Sequence, residues 1–363
     1  MKKTIYLLSF FLAAFLLLNP ATAGESPPPA LSEIKAVVNR DYLPIVLKMI
    51  AGAKTSIDFI QLEFHYDPTV KKIQDALRAA VKRGVKVRGL LEDNIRFNAT
   101  SAEYLNSFGI TTKLDTPAKM THNKLFIVDQ EKVLLGSTNL SSNSIDNNNE
   151  TNVYLQSPQL GAFFTRYFER LFKDSRAEPL SETLELPEVT TVINRQHVPV
   201  LLKLFDGAQK KIQVLMYGMS YNANYPDSSP NRLIDALIAA RARGVKVEVI
   251  LDKSDYNQII NEVNAATRQH LEKGGVTVRY DPEEITTHAK LLIIDDQAVV
   301  GSPNWGYKAL DVRNECSLII SDPKTVESFR NYFRRIWKEG GGEAKESPPP
   351  SAQTGISQAA KSK

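Results

Sequence analysis

Cysteine is almost missing from this chain: Cys316 is the only one in 363 residues. No internal disulfide can form, and a chain of this length does not need one to hold a core. A buried, inert thiol is expected there. Charge of one sign is also lacking, with 45 basic against 41 acidic residues and a formal net charge of +4. A dedicated nucleic-acid binder carries a stronger basic footprint, although a local basic groove can hide in a near-neutral total. Long apolar runs are absent apart from one at the start, Ile5 to Leu18, broken only by Ser9. It follows Met1-Lys2-Lys3 and precedes Ala21-Thr22-Ala23, which is the layout of a secretory signal peptide over 1–23. The run is short for a membrane span, and no Cys follows it to carry a lipid anchor. The competing reading is an uncleaved N-terminal anchor. Cleavage would remove Lys2 and Lys3 and bring the net charge from +4 to +2. The mature chain is expected to be exported (periplasmic or secreted), monomeric and without a transmembrane segment.

What the chain has in abundance is itself. "NRDYLPIVLKMIAGAKTSIDFIQLEFHYD" (39–67) matches "NRQHVPVLLKLFDGAQKKIQVLMYGMSYN" (194–222), and "IQDALRAAVKRGVKVRGLLED" (73–93) matches "LIDALIAARARGVKVEVILDK" (233–253). "FFTRYFERLFKD" (163–174) matches "SFRNYFRRIWKE" (328–339). A spacing of 155 to 166 residues is a domain length, so a domain has been duplicated. Within each copy, helical spacing alternates with short apolar strands: "SIDFIQLEF" reads as a buried strand, "VKKIQDALRAAVKRG" as an amphipathic helix stopped at Gly84, and "VKVRGLLED" as the next strand. The fold class is α/β, with two duplicated halves, each a mixed sheet flanked by helices, packed about a pseudo-two-fold. The divisions expected are a signal peptide at 1–23, a Pro-rich leader at 24–35, a first half at 36–174, a linker at 175–188, a second half at 189–338 and a tail at 339–363. Leader and tail have compositions that cannot bury a core.

The chemistry lies in a doubled motif. "THNKLFIVD" (121–129) and "THAKLLIID" (287–295) share T-H-x-K, four apolar residues and Asp, in a chain with only five histidines. On a strand, His122 and Lys124 project to one side, as do His288 and Lys290. Each strand leads to a Gly-Ser-x-Asn, with Ser137 and Asn139 in one copy and Ser302 and Asn304 in the other. Asn149-Glu150 and Asn314-Glu315 follow at matching places. His65, His197 and His270 are not repeated, whereas His122 and His288 recur with their whole polar set. This selects a shared task over two satisfied core histidines. Two histidines around a lysine, with no Cys, do not make a zinc site, and the ammonium would repel a cation. No metal and no cofactor are expected. A Ser-His-Asp triad fits no better, because no G-x-S-x-G elbow is present. A phosphate group suits the set. Lysines with Ser and Asn donors can hold the non-bridging oxygens, one neutral imidazole can attack phosphorus, and the other, protonated, can give its proton to the leaving alcohol.

H-x-K-x4-D-x6-G-S-x-N, present twice, resembles the HKD motif of the phospholipase D superfamily, and the resemblance covers about residues 36 to 338. It implies two fused α/β sandwich halves with the site at their interface, a covalent phosphohistidine and no metal. Carried over by motif position, the catalytic set is His122, Lys124, Glu150 and Asp129 with His288, Lys290, Glu315 and Asp295. Ser137, Asn139, Ser302 and Asn304 fall on the substrate. The glutamates would bond a catalytic imidazole across the pseudo-two-fold, and the two aspartates would support the scaffold. The second copy departs in spacing: five residues, not six, separate Asp295 from Gly301, and Pro303 sits inside "GSPN".

Export and modest charge favour a phospholipase D-type hydrolase acting on phospholipid, of the phosphatidylcholine phosphatidohydrolase kind, with peripheral contact to a membrane surface. Trp305, Tyr307 and Leu310 beside the second motif would suit a lipid headgroup boundary, or else ordinary core. The alternative is a secreted metal-independent endonuclease, with Lys71, Lys72, Lys82, Arg83 and Lys86 as candidates for a backbone groove or a solvated helix face.

Overall fold

A computed structural model describes residues 31–177, 182–254 and 257–340. The signal-peptide segment 1–23, most of the leader and the tail from 341 lie outside the described residues. The first half runs β1 (Glu33–Val38), α1 (Tyr42–Ala51), β2 (Ser56–Gln61), α2 (Pro68–Lys82), β3 (Lys86–Leu91), α3 (Asn98–Asn106), β4 (Thr111–Leu114), β5 (Lys124–Val128), β6 (Lys132–Gly136), β7 (Thr151–Gln156) and α4 (Pro158–Lys173). The second runs β8 (Glu185–Leu186), β9 (Val189–Ile193), α5 (His197–Gly207), β10 (Lys211–Met216), α6 (Ser229–Ala242), β11 (Lys246–Leu251) and α7 (Gln258–Lys273). It ends with β12 (Thr277–Tyr280), β13 (Lys290–Ile294), β14 (Gln297–Gly301), α8 (Tyr307–Asp311), β15 (Cys316–Ile320) and α9 (Pro323–Glu339).

The two sheets have the same plan, β1-β7-β6-β5-β2-β3-β4 and β9-β15-β14-β13-β10-β11-β12, with β8 added outside β9. Local chemistry accounts for the repeating units. In α2, Asp67 caps the first turn by accepting from Thr69 N–H and Val70 N–H, Pro68 fills the first position, and Ile73, Leu77 and Ala80 form the buried stripe. The chain then turns at Gly84, whose φ of +88° suits a residue without Cβ. β2 and β3 run parallel across this crossover, while β5 is antiparallel to β2, so the sheet is mixed.

Side chains alternate along β5: Leu125 and Ile127 face one core, Phe126 and Val128 another. The outer core of each half lies under its own helices, α1 to α3 in the first and α5 to α7 in the second. The central core belongs to both. It joins Phe163, Phe164 and Phe168 of α4 with Phe329, Phe333 and Ile336 of α9, between the inner faces of the two sheets. The interdomain boundary differs a little from the sequence expectation. β1 starts at Glu33, ahead of 36, and the end of the expected linker is structured, because Glu185 and Leu186 pair with Thr190 and Val189 as an edge hairpin.

Because the central core is shared, the halves should unfold together. Phe329→Ala is expected to cost about 3–5 kcal/mol and to leave a single transition in chemical denaturation followed by both fluorescence and far-ultraviolet dichroism. Two separated transitions would show independent halves.

Candidate active site

Each half lends a segment to the other. In the first direction, Asn314 pairs with Thr121: Asn314 N–H donates to Met120 O at 2.9 Å and His122 N–H donates to Asn314 O at 2.9 Å. In the return direction, Asn149 N–H donates to Thr286 O at 2.9 Å and His288 N–H to Asn149 O at 2.9 Å. The next residue on each lending segment is the glutamate. His122 Nδ1 therefore lies 3.0 Å from the Glu315 carboxylate, and His288 Nδ1 lies 3.1 Å from Glu150 Oε1. With Nδ1 held, Nε2 is the atom left for chemistry on both rings.

The lending segments are themselves clamped by groups the sequence reading did not pick out. Asn39 accepts from Glu150 N–H at 2.9 Å and donates to Asn149 Oδ1 at 3.0 Å; Asn194 does the same for Glu315 and Asn314 at 2.8 and 3.1 Å. Both asparagines have positive φ, 51° and 49°. Arg40 reaches the carbonyls of Asn147 and Asn148, and Arg195 those of Val312 and Arg313. The signal was present in the repeated "NR" that opens each matching stretch. A second missed device holds the histidine segments. Thr121 N–H donates to both Glu92 and Asp115, and Thr287 N–H to both Asp252 and Asp281. Burial and the neighbouring carboxyl push Asp115 and Asp252 up to about 8, so each pair carries a proton at neutral pH. Asp93 joins Glu92 and Asp115 as the one group of acids whose oxygens converge among the described residues, but Lys253 stands at its counterpart, and these carboxylates already accept protein N–H groups.

The motif serines need correction, and the aspartates leave the catalytic set for the scaffold role expected of them. Ser137 and Ser302 were expected on the substrate; instead Ser137 Oγ donates to Glu150 and Ser302 Oγ to Glu315. The motif glycines explain how they reach. A Cβ on Gly136 would stand 2.3 Å from Thr151 O, and one on Gly301 2.1 Å from Ser317 Oγ. Asp129 and Asp295, counted with the catalytic set, stand at the far end of their strands. Seven residues at ~3.3 Å each separate Asp129 from His122 by ~23 Å. Asp129 accepts from the N–H groups of Lys54, Thr55 and Ser56, and Asp295 from those of Gln209, Lys210 and Lys211. They tie a turn to the start of the neighbouring strand. Asn139 and Asn304 keep Oδ1 atoms that are buried without a hydrogen-bond partner.

Lys124 and Lys290 are each only 2% exposed, and each Nζ donates to the carbonyl of the histidine two residues earlier. Burial lowers Lys124 to about 8 and Lys290 to about 7, against the pull of Glu315, Glu63 and Glu150. Tyr217 presents its ring to both, edge-on to His288 at 4.8 Å and 5.0 Å from Lys290 Nζ. The two imidazoles are not equivalent. Burial, then Lys124, Arg313 and Lys290, hold His122 well below the ordinary range, and burial pushes its partner Glu315 up to about 7. His288 is lowered by burial and Lys290, but Glu150 opposes this. Glu150 itself stays below the usual carboxylate range: burial raises it, and His288, Lys290 and Ser137 more than compensate. Both rings are biased toward the neutral form, His122 the more strongly, and Glu150 is held ionised more firmly than Glu315.

Of the two readings kept open for the flanking residues, ordinary core holds for Trp305 and Leu310. Trp305 is fully buried in the outer core of the second half, as is Leu310, and only Tyr307 is exposed. Of the basic residues weighed for a groove, Lys86 opens β3 opposite Ser56, whereas the site lies at the other end, where Gln61 pairs with Lys124. Lys82 and Arg83 lie beside Lys86, at the C-terminal end of α2. Lys71 pairs with Asp75 on an exposed helix face.

The family described as "Cardiolipin synthase, PLD-like domain" matches residues 46–172 and 201–337, one match per half. The chain belongs to the phospholipase D superfamily. Its relatives include the mitochondrial cardiolipin hydrolase of Canis lupus familiaris, 34% identical over 137 residues, which is 31% of this chain and 52% of that protein. The match thus spans about half the length of that relative. Cardiolipin synthase B of Shigella flexneri is 24% identical over 330 residues, 81% of this chain and 78% of that protein. In fold, the phosphatidylserine synthase of Haemophilus influenzae Rd KW20 is similar at a TM-score of 0.68, with 15% identity and coverage of 85% and 86% of the two chains. This phospholipase D-like chain is thus a member of a phosphodiesterase family whose relatives act in lipid metabolism.

The lysines set a pH limit. If their charge holds the phosphate, kcat/KM should fall on the alkaline side with an apparent pKa of about 7–8, because Lys290 and Lys124 lose their protons there. A pH profile flat to 10 on a soluble diester would remove them from that role.

Proposed function

We propose that this protein is a phosphodiester hydrolase acting on phospholipid, releasing the headgroup alcohol and leaving phosphatidic acid. The observation that carries the reading is the reciprocal pair of His–Glu contacts, which leaves both Nε2 atoms free and gathers the two imidazoles and the two buried lysines closely enough for their charges to act on one another. His122 Nε2 attacks phosphorus, the bond to the headgroup oxygen breaks, and His288, as imidazolium, gives that oxygen its proton. His288, now neutral, takes a proton from water, whose oxygen attacks phosphorus and frees His122. The assignment of His122 as nucleophile follows the asymmetry of charge: its surroundings favour the neutral ring with a lone pair, while the ionised Glu150 favours a protonated His288. The lysines offset the charge that develops on the non-bridging oxygens, the work a metal does elsewhere.

Phospholipid is favoured over nucleic acid for two reasons. The relatives' names are those of lipid enzymes. The candidate groove residues Lys82, Arg83 and Lys86 also sit at the end of the sheet away from the imidazoles. Export through the segment 1–23 is part of the same proposal and places the enzyme at external or envelope lipid; Gly24 as the first residue of protein recovered outside the cytoplasm is the expected result.

The test compares vesicles of phosphatidylcholine, phosphatidylglycerol and cardiolipin with plasmid and single-stranded DNA, in excess EDTA. Turnover of lipid that persists with chelator is expected; cleavage of DNA alone would make the protein a nuclease. His122→Ala and His288→Ala should each lose at least tenfold in lipid turnover. They should differ on a p-nitrophenyl diester, whose leaving group departs without a proton. There His288→Ala should give a burst with phosphate trapped on His122, and His122→Ala none. An adduct located on His288 by mass spectrometry would reverse the roles.

A further inference from the structure

Everything the two-histidine chemistry needs is present twice, so the places where the halves differ bear on how substrate is held. The position before the Asn–Glu pair is Asn148 in the first half and Arg313 in the second. Asn148 is buried, and its Nδ2 reaches Glu150 Oε1 at 3.4 Å, within its own lending segment. Arg313 does nothing comparable. Its N–H donates to Lys308 O at 2.9 Å and its carbonyl accepts from Arg195 at 3.3 Å, which fixes the backbone. Its guanidinium, half-buried, has no hydrogen bond or ion pair among the described residues.

The surroundings put this cation at the catalytic ring. The next residue, Asn314, exchanges backbone hydrogen bonds with Met120 and His122, and the one after that is Glu315 on His122 Nδ1. The Arg313 charge acts on His122, Lys124 and Glu315 alike. Lys119, beside Met120, adds basic character on this side, where the second half has Ile285. Arg313 and Lys119 therefore stand in the segments that meet at His122, while the matching places around His288 hold Asn148 and Ile285. A partly desolvated guanidinium with no counter-ion is unfavourable until an anion arrives, and its planar fork fits the oxygens of a phosphate.

We propose that Arg313 is a further substrate-contacting residue: its guanidinium takes a non-bridging oxygen of the phosphodiester at the His122 side, so that the two ends of a nearly symmetrical site bind phosphate unequally. The proposal rests on the phosphodiesterase reading above and adds to it a receptor that neither copy of the motif contains. Tungstate, a phosphate mimic, tests it without any substrate. Arg313→Gln should weaken tungstate binding, measured by calorimetry, about tenfold or more. On bis(p-nitrophenyl) phosphate it should raise KM. The acid limb of kcat/KM should move to higher pH, because a cation beside His122 is gone. Arg313→Lys keeps the charge without the fork, so binding should weaken while the limb stays in place; this variant also serves if Arg313→Gln fails to fold. A purely structural arginine would lower the melting temperature and leave tungstate affinity and the limb unchanged, which would overturn the proposal. Wild-type protein that binds tungstate through Arg313 yet turns over no diester would keep this inference and sink the enzymatic reading. Wild-type protein that binds no tungstate would sink both.

Discussion

The structure depends on one reciprocal contact, the exchange of Asn–Glu segments across the pseudo-two-fold. Each exchange is a short parallel bridge of backbone hydrogen bonds, Asn314 with Thr121 and Asn149 with Thr287. The bridge fixes the histidine backbone, and the side chain that follows fixes the imidazole. Asn39 and Asn194 with Arg40 and Arg195 brace the two lending segments, and the proton-sharing acid pairs brace the two histidine segments they meet. The shared aromatic core between α4 and α9 then has a functional meaning. It holds the halves at the separation at which both bridges close.

Burying six ionisable groups in one place is unfavourable in itself, at several kcal/mol per uncompensated ion. The arrangement limits that cost by pairing each imidazole with a carboxylate and each ammonium with a carbonyl. The compensation is incomplete by design. The lysines are held below their ordinary range, Glu315 above its own, and Asn139 and Asn304 keep bare oxygens. A phosphodiester binding beside these groups would supply the missing negative charge, so interactions that are poor without it would improve as the reacting group arrives.

The fold was readable because the repeat carries its own punctuation: the amphipathic run of α2, Gly84 at its end, and the unbroken apolar run of β5. The histidines, lysines and glutamates were readable because duplication separates shared chemistry from drifting surface. What escaped was role. Spacing put Ser137 and Ser302 in the motif, but a motif is linear, and only the fold shows that their hydroxyls turn to the glutamates and away from substrate. For Trp305 and Leu310 the sequence left rim and core both open, because an aromatic beside a polar motif reads the same whether it points out or in. Arg313 escaped for the opposite reason. It matches nothing in the first half, and a comparison that looks for agreement passes over it.

Duplication ordinarily leaves a spare: one copy can decay while the other carries on. Here the loan of Glu315 to His122 and of Glu150 to His288 removes that insurance. A lesion in either half disarms the ring belonging to the other, so neither copy can mask a fault in its twin. Selection therefore sees the two halves as one inherited unit.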